Sequence, residues 1–326
     1  MIKTQDIFGI SSQKEFEKIA LKVFRFQHEN NIVYKEFCDL LNIEKQNVKS
    51  LKQIPFLPIQ FFKTHKVVSN TDTAEETFTS SGTTGTLTSR HFVTDAHIYE
   101  ESYRKGFSHF YGDIENYVVL ALLPSYLERE GSSLIYMVED LIQLSKHPES
   151  DFYLHNHDEL ISNLIRLDNS GQNVILIGVT YALLDLIENQ KFQLNNTIII
   201  ETGGMKGRRK EMIREELHQQ LCDGFGVSAI HSEYGMTELL SQAYSLGNGV
   251  FECPPWMQIM IRDTEDALTY LENGKTGGIN VIDLANINSC SFIATQDLGK
   301  KNPNTSFEVL GRFDNSDIRG CNLMVV

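Results

Sequence analysis

The chain has 326 residues, enough to bury a large core as one α/β domain or two smaller ones, and its 41% hydrophobic and 22% charged content is that of a soluble globular protein. Its 43 acidic against 29 basic residues leave a net charge of −14, which argues against a general nucleic-acid or anionic-membrane surface and makes any phosphate site a local feature. Five scattered cysteines (Cys38, Cys222, Cys253, Cys290 and Cys321), never in a Cys-x-x-Cys pair, argue against a disulfide framework or a structural zinc site and fit a reduced cytoplasm.

The first residues are mixed in polarity and lack the apolar core of a signal peptide. No run of about 18 apolar residues occurs, so the expectation is a cytoplasmic protein with no membrane span. Residues 12–30 carry Phe16, Ile19, Ala20, Val23, Phe24 and Phe26 at helical spacing, opened by Ser11-Ser12, and 33–42 read as a second short helix. In the stretch Ile54 to Lys63, Pro55 and Pro58 hold the backbone extended, and its apolar density predicts burial against the main body. From residue 95 the pattern alternates. Helices are predicted at 95–109, 131–145, 180–189 and 207–222, and buried strands at 117–123, 173–179 and 196–201. Continuous apolar strands between amphipathic helices predict an α/β fold with a mostly parallel sheet covered by helices. After residue 245 short strands with Gly, Asn and Pro turns follow, at 250–262, 276–283, 289–294 and 305–311. The expected division is an α/β core at 1–245, N-terminal helices included, and a β-rich subdomain at 246–326.

Several motif matches fail on context. Asn273-Gly274-Lys275-Thr276 resembles the end of a Walker A loop, but the earlier glycine position holds Thr269 and the surroundings read as a hairpin turn. Gly224-Phe225-Gly226-Val227-Ser228-Ala229 matches a loose dinucleotide fingerprint, yet it follows a helix and enters a strand, the reverse of the required order. No Gly-x-Ser-x-Gly elbow supplies a hydrolase nucleophile. His155-Asn156-His157-Asp158 has metal-ligand residue types but reads as a polar loop.

Four other stretches stand in an order that is harder to dismiss. Thr77 to Arg90 concentrates hydroxyls around Gly82 and Gly85, a loop able to offer backbone N–H groups and hydroxyls to one anion. His231-Ser232-Glu233-Tyr234-Gly235-Met236-Thr237-Glu238, expected just after a short strand, supplies an aromatic ring, a hydroxyl and a carboxylate. Gln296-Asp297-Leu298-Gly299 sets an acid in an expected turn, suited to vicinal hydroxyls, and Gly311-Arg312 adds a late cation. Each alone is ordinary loop chemistry.

In that order they resemble the adenylate-forming superfamily of acyl-CoA synthetases, luciferases and peptide adenylation domains. Within it the chain is most similar to the acyl-protein synthetases of bacterial luminescence operons, the long-chain-fatty-acid–protein ligases. That resemblance is carried by Ile54 to Lys63, Ser80 to Gly85, Thr202 to Arg209 and Ser316 to Cys321. It implies the large N-terminal-type domain of the superfamily and ATP-dependent activation of a carboxylic acid, with transfer to a thiol. It also implies site roles. Ser80, Ser81, Gly82, Thr83, Thr84 and Gly85 wrap the β,γ-phosphates, Gly203 and Gly204 approach adenine, and Tyr234 beside Gly235 packs on it. Thr237 bonds the α-phosphate, Glu238 binds Mg²⁺, Asp297 takes the ribose hydroxyls, and Arg312 adds a cation.

Cys321 is either the acyl-carrying nucleophile, with Arg319 favouring its thiolate, or an idle near-terminal cysteine. The chain departs from the superfamily in two ways. Arg90 stands where the loop lysine is expected, and the usual mobile C-terminal domain is absent. The apolar segment 117–136, with Pro124, Ser125 and Tyr126 at a strand end, is expected to border the acid's pocket. Expected partners are a fatty or other carboxylic acid and an acyl-acceptor protein, a reductase or an acyl carrier protein, with no nucleic acid. Two alternatives stay open: an acyl-CoA or acyl-carrier-protein ligase, and a non-catalytic nucleotide- or acyl-binding module.

Overall fold

The computed structural model describes residues 2–69, 72–80, 87–124, 131–203 and 212–312. The chain divides into two compact units, the first of residues 1–77, 81–98 and 252–326 and the second of residues 78–80 and 99–251.

Unit 1 opens with helices α1 (Thr4–Phe8), α2 (Gln13–Asn30) and α3 (Ile32–Leu40). Ser12 caps α2 by accepting the Glu15 N–H at 3.3 Å, and of the predicted stripe, Phe16, Ile19, Ala20, Val23 and Phe24 are buried while Phe26 is half-buried. The stretch 54–63 is buried at Ile54, Phe56, Leu57 and Phe62 as expected, but it is not extended throughout. A two-residue strand, β1 (Leu57–Pro58), gives way to the helical turn α4 (Phe61–Thr64), which begins as soon as no proline follows to forbid it. Strands β2 (Glu76–Thr79) and β3 (Arg90–Val93), not foreseen, stand either side of residues 81–86, and α5 (Ala96–Tyr111) follows.

In unit 2 the elements are β4 (Val118–Leu122), α6 (Ser133–Ser145), β5 (Asp151–Phe152), α7 (His157–Asn169), β6 (Val174–Val179), α8 (Thr180–Asn189), β7 (Thr197–Thr202), α9 (Arg214–Phe225), β8 (His231–Tyr234), β9 (Ala243–Ser245) and β10 (Val250–Glu252). The sheet runs β9-β8-β7-β6-β4-β5, with every pair parallel except β8–β9. Strands β4 and β6 are buried at every position, because helices cover both faces. Helix α7, unassigned from sequence, buries Leu160, Leu164 and Leu167 and begins at His157, so the His-Asn-His-Asp stretch is half helix. Its buried Asp168 accepts the Asn195 and Asn196 N–H groups and the Thr197 hydroxyl at 2.8 Å, which fixes where β7 starts. The glycines of the failed dinucleotide match have packing roles. A Cβ on Gly224 would collide with Ile187, and Gly226, at φ +69°, ends α9.

Unit 1 resumes with β11 (Met257–Arg262), β12 (Thr276–Asp283), β13 (Phe292–Lys301) and β14 (Phe307–Arg312), an antiparallel sheet to which β1 adds in parallel beside β13. Gln27 of α2 donates to the Asn286 and Ile287 carbonyls and accepts the Ser291 N–H at 3.0 Å, so the N-terminal helices group with this β-rich part rather than with residues up to 245. A mostly parallel sheet covered by helices, with a β-rich C-terminal region, is the fold class the sequence predicts. Among the described residues no helix is long and apolar enough to cross a membrane.

Candidate active site

In unit 2, β7 and β8 lie side by side and parallel, with Thr202 opposite Glu233. Both chains then leave the sheet through glycine, at its C-terminal edge where parallel sheets take ligands. Gly203 has φ +79°, a left-handed turn that admits backbone close to a ligand. The stretch His231–Tyr234 is itself the strand β8, not the loop after one. Its polar side chains disguise it. The missing side chain of Gly235 leaves room for the Glu233 carboxyl, which would have to shift if a Cβ stood there. Thr237 and Glu238 then occupy a turn closed by the Leu239 N–H on the Met236 carbonyl at 3.0 Å. Glu238 is 6% exposed, and Tyr234 is buried edge-on to Phe251 with ring centroids 6.0 Å apart.

Two carboxyls of this edge differ sharply. Glu201 faces α8 and α9, where it accepts from Arg214 Nη1 at 2.9 Å and Thr180 Oγ1 at 3.1 Å, with His218 Nε2 at 3.6 Å. Burial pushes its carboxyl up, but bonding to His218, the Arg214 charge and Ser232 together bring it below the ordinary range. Glu233, on the opposite face, accepts only the Thr202 hydroxyl at 2.6 Å among its recorded hydrogen bonds. Burial raises it to about 7, opposed by that bond and aided by the like charge of Glu201. Sequence reasoning passed over Glu201, Arg214 and Glu233. The available signal was a glutamate beside a hydroxyl residue near two strand ends, Glu201-Thr202 and Ser232-Glu233.

Also in unit 2, a void of about 20 Å³ lies between Val119, Ile175, Ile177 and Ile200 of the sheet and Met137 of α6. It is wholly apolar, so it stays dry. Thr79 is anchored by its N–H to the Gly131 carbonyl at 2.7 Å, and Ser80 follows it, half-buried.

In unit 1 the structure joins two residues that stand in separate motifs of the sequence. Asp297 and Arg312 are directly opposed on β13 and β14, with Arg312 Nε 3.2 Å from Asp297 Oδ1. Asp297 is 7% exposed, while the Arg312 side chain is 74% exposed. Asp297 sits within a strand, not a turn, because Thr295, Asp297 and Gly299 alternate inward. Arg90 begins β3, exposed, with Cζ 5.8 Å from the Phe92 ring centroid, and Lys66 Nζ lies 5.4 Å from the same ring. Lys66 is a second cation that sequence reasoning missed. A groove of about 550 Å³, lined in part by Gln13, Gln258, Tyr270 and Lys301, holds Asn273 of the failed Walker A match and none of the residues given a site role from sequence.

Ser81, Gly82, Thr83, Thr84, Gly85, Gly204 and Cys321 lie outside the described residues. Among the described residues no three His, Cys, Asp or Glu side chains converge as a metal cage. Burial pushes the thiols of Cys38 and Cys253 up to about 12 and raises those of Cys222 and Cys290.

Comparison with known proteins adds to this geometry. A family model described as "Acyl-protein synthetase, LuxE" matches residues 6–97 and 145–326. The long-chain-fatty-acid–luciferin-component ligase of Vibrio harveyi is 24% identical over 345 residues, spanning 98% of this chain and 90% of the relative. Among solved structures, 2-hydroxyisobutyryl-CoA ligase, in the postadenylation state with 2-HIB-AMP, is 12% identical at a TM-score of 0.67, covering 93% of this chain and 68% of its own. ATP-bound MatB from Rhodopseudomonas palustris is 17% identical at a TM-score of 0.56, over 72% of this chain. This chain covers 47% of MatB, about half its length. These likenesses establish a fold shared with the two solved proteins.

Proposed function

The chain belongs to the acyl-protein synthetase (LuxE) family, and we propose that it activates a fatty acid with ATP as an acyl-adenylate and passes the acyl group to a thiol. The observation that carries this reading is the alignment of Thr202-Gly203 with Glu233 to Glu238 at the ends of neighbouring parallel strands, within a chain matched to that family over most of its length. The V. harveyi relative is named for a long-chain fatty acid and a luciferin component, which supports a fatty acid here and a protein as final acceptor. The ATP of MatB and the 2-HIB-AMP of the hydroxyisobutyryl-CoA ligase support an adenylate intermediate.

In the first step a carboxylate oxygen bonds to the α-phosphorus of ATP. The bond to the β-bridging oxygen breaks, and pyrophosphate leaves with its electron pair. Ser80, Ser81, Gly82, Thr83, Thr84 and Gly85 hold the departing phosphates. Arg90 supplies the cation, with Lys66 beside the same ring as a second. Thr237 hydrogen-bonds the α-phosphate. Gly203 and Gly204 bring backbone to the adenine edge, Tyr234 and Gly235 pack against the base, and Asp297, held by Arg312, takes the ribose hydroxyls. The buried Glu238 carboxylate would hold a magnesium ion brought with ATP, which would supply positive charge opposite the leaving pyrophosphate. The acid's chain lies against Val119, Ile175 and Ile200, and the unbranched Met137 gives way to enlarge the void.

In the second step a thiolate attacks the acyl carbon, the carbon–oxygen bond to phosphate breaks, and AMP leaves. Thiolate formation is disfavoured at the four described cysteines, all pushed up by burial, which supports Cys321 as the carrier. From it the acyl group passes to a reductase or carrier protein in the cytoplasm. The test is isotope transfer: a fatty acid labelled with oxygen-18 in its carboxylate must deliver one labelled oxygen to AMP. Unlabelled AMP would place the chemistry elsewhere.

A further inference from the structure

Strand alternation sets Ile177 of β6, Ile200 and Thr202 of β7, His231 and Glu233 of β8, and Tyr244 of β9 on one face of the unit 2 sheet. Along that face the side chains change from apolar to polar towards the C-terminal edge. Ile177 and Ile200 line the dry void, and one pleat further on Thr202 and Glu233 hydrogen-bond to each other. A fatty acid laid along this face, chain over the isoleucines, brings its carboxylate to that pair. Glu233 is held in place there, with its carboxyl folded into the space that the missing side chain of Gly235 leaves.

Among the described residues, the groups around Glu233 offer it no balancing cation. Glu201 on β7 is a like charge, and Arg214 and His218 of α9 are turned to Glu201 on the other face. Tyr111 of α5 and Tyr244 of β9 are held protonated by burial, with Glu233 adding to the effect. His231, stacked on Tyr111 at 5.8 Å, has its imidazole shifted below the ordinary range by burial, which disfavours its cationic form. Two carboxylates at close quarters resist ionising together.

We propose that Glu233 sets the charge at the polar end of this sheet face: neutral, it accepts the substrate's carboxylate beside the Thr202 hydroxyl, and ionised, it repels it. This rests on the acid-activating function above. The change of state falls in the working range, since burial raises the carboxyl to about 7.

The experiment is calorimetric titration of the protein with decanoate from pH 6 to pH 9, across which decanoate itself stays ionised. In the wild type the dissociation constant rises about tenfold per pH unit above neutrality, and in Glu233→Gln it stays nearly flat. A flat wild type, an unchanged slope in Glu233→Gln, or no decanoate binding at pH 6 overturns the proposal. Should Glu233→Gln fail to fold, ¹³C-carboxyl NMR of the wild type decides. Bound decanoate must raise the Glu233 midpoint by about one unit or more, and an unmoved midpoint contradicts the role. ATP–pyrophosphate exchange on the same samples separates the two readings. A Glu233-dependent slope without exchange for any acid sinks the enzyme and leaves the binding role, whereas exchange with pH-indifferent decanoate binding sinks the role of Glu233 alone.

Discussion

Thr202 donates its hydroxyl to Glu233 across 2.6 Å, tying together the ends of two neighbouring parallel strands. The bond stabilises the ionised acid, yet burial outweighs it and the carboxyl rises from 4.5 to about 7. An acid held above its unfolded value keeps its proton longer in the folded chain. Stability therefore falls as pH climbs from about 4.5 to about 7 and stays lower above that. Glu233→Gln keeps an acceptor for Thr202 and removes the charge. Urea unfolding at pH 8 is expected to favour the variant by up to about 3 kcal/mol, with little difference at pH 5. An equal difference at both pH values contradicts the assignment.

The partner carboxyl behaves in the opposite sense. Glu201 is held below its usual range by His218 and Arg214 despite burial, so its contribution is complete above its ordinary value of 4.5 and is lost as pH falls through the depressed one. Arg214→Met strands most of that buried charge, and a loss of about 3–5 kcal/mol is expected at neutral pH in urea unfolding. A loss under about 1 kcal/mol means that the pair is screened like a surface one.

Asp297 tests the ribose contact. Asp297→Asn removes a charged acceptor while leaving the strand intact, so the KM for ATP is expected to rise roughly 10- to 100-fold, equivalent to about 1.5–3 kcal/mol. The KM for the acid stays unchanged. A rise in the acid's KM alone moves Asp297 out of the nucleotide site.

Incubation with labelled fatty acid and ATP is expected to leave a hydroxylamine-sensitive label on the wild type and on Cys222→Ala, and none on Cys321→Ala. Label retained by Cys321→Ala assigns the thioester to another residue.

Much of the fold was readable because β4 and β6 are apolar at every position and β7 carries Ile198, Ile199 and Ile200 in a row, the mark of strands buried on both faces. Strand β8 was hidden because its chemistry is polar: His231, Ser232 and Glu233 satisfy partners inside the protein rather than pack as hydrocarbon. Asp297 reads as a turn residue for the same reason, until the inward alternation with Thr295 shows a strand. Helix α7 carries a leucine period that Leu160, Leu164 and Leu167 make plain, between polar residues that drew attention to metal ligands instead. The opposition of Asp297 to Arg312, and of Thr202 to Glu233, depends on strand register, which no local pattern encodes.

The central claim is acid activation, and ATP–pyrophosphate exchange measures it most directly. With a panel of carboxylic acids from acetate to hexadecanoate, label from pyrophosphate is expected to enter ATP only when a fatty acid is present, and to fall at least about 100-fold in Thr237→Ala. Exchange absent with every acid, or unaffected by loss of Thr237, would contradict the account.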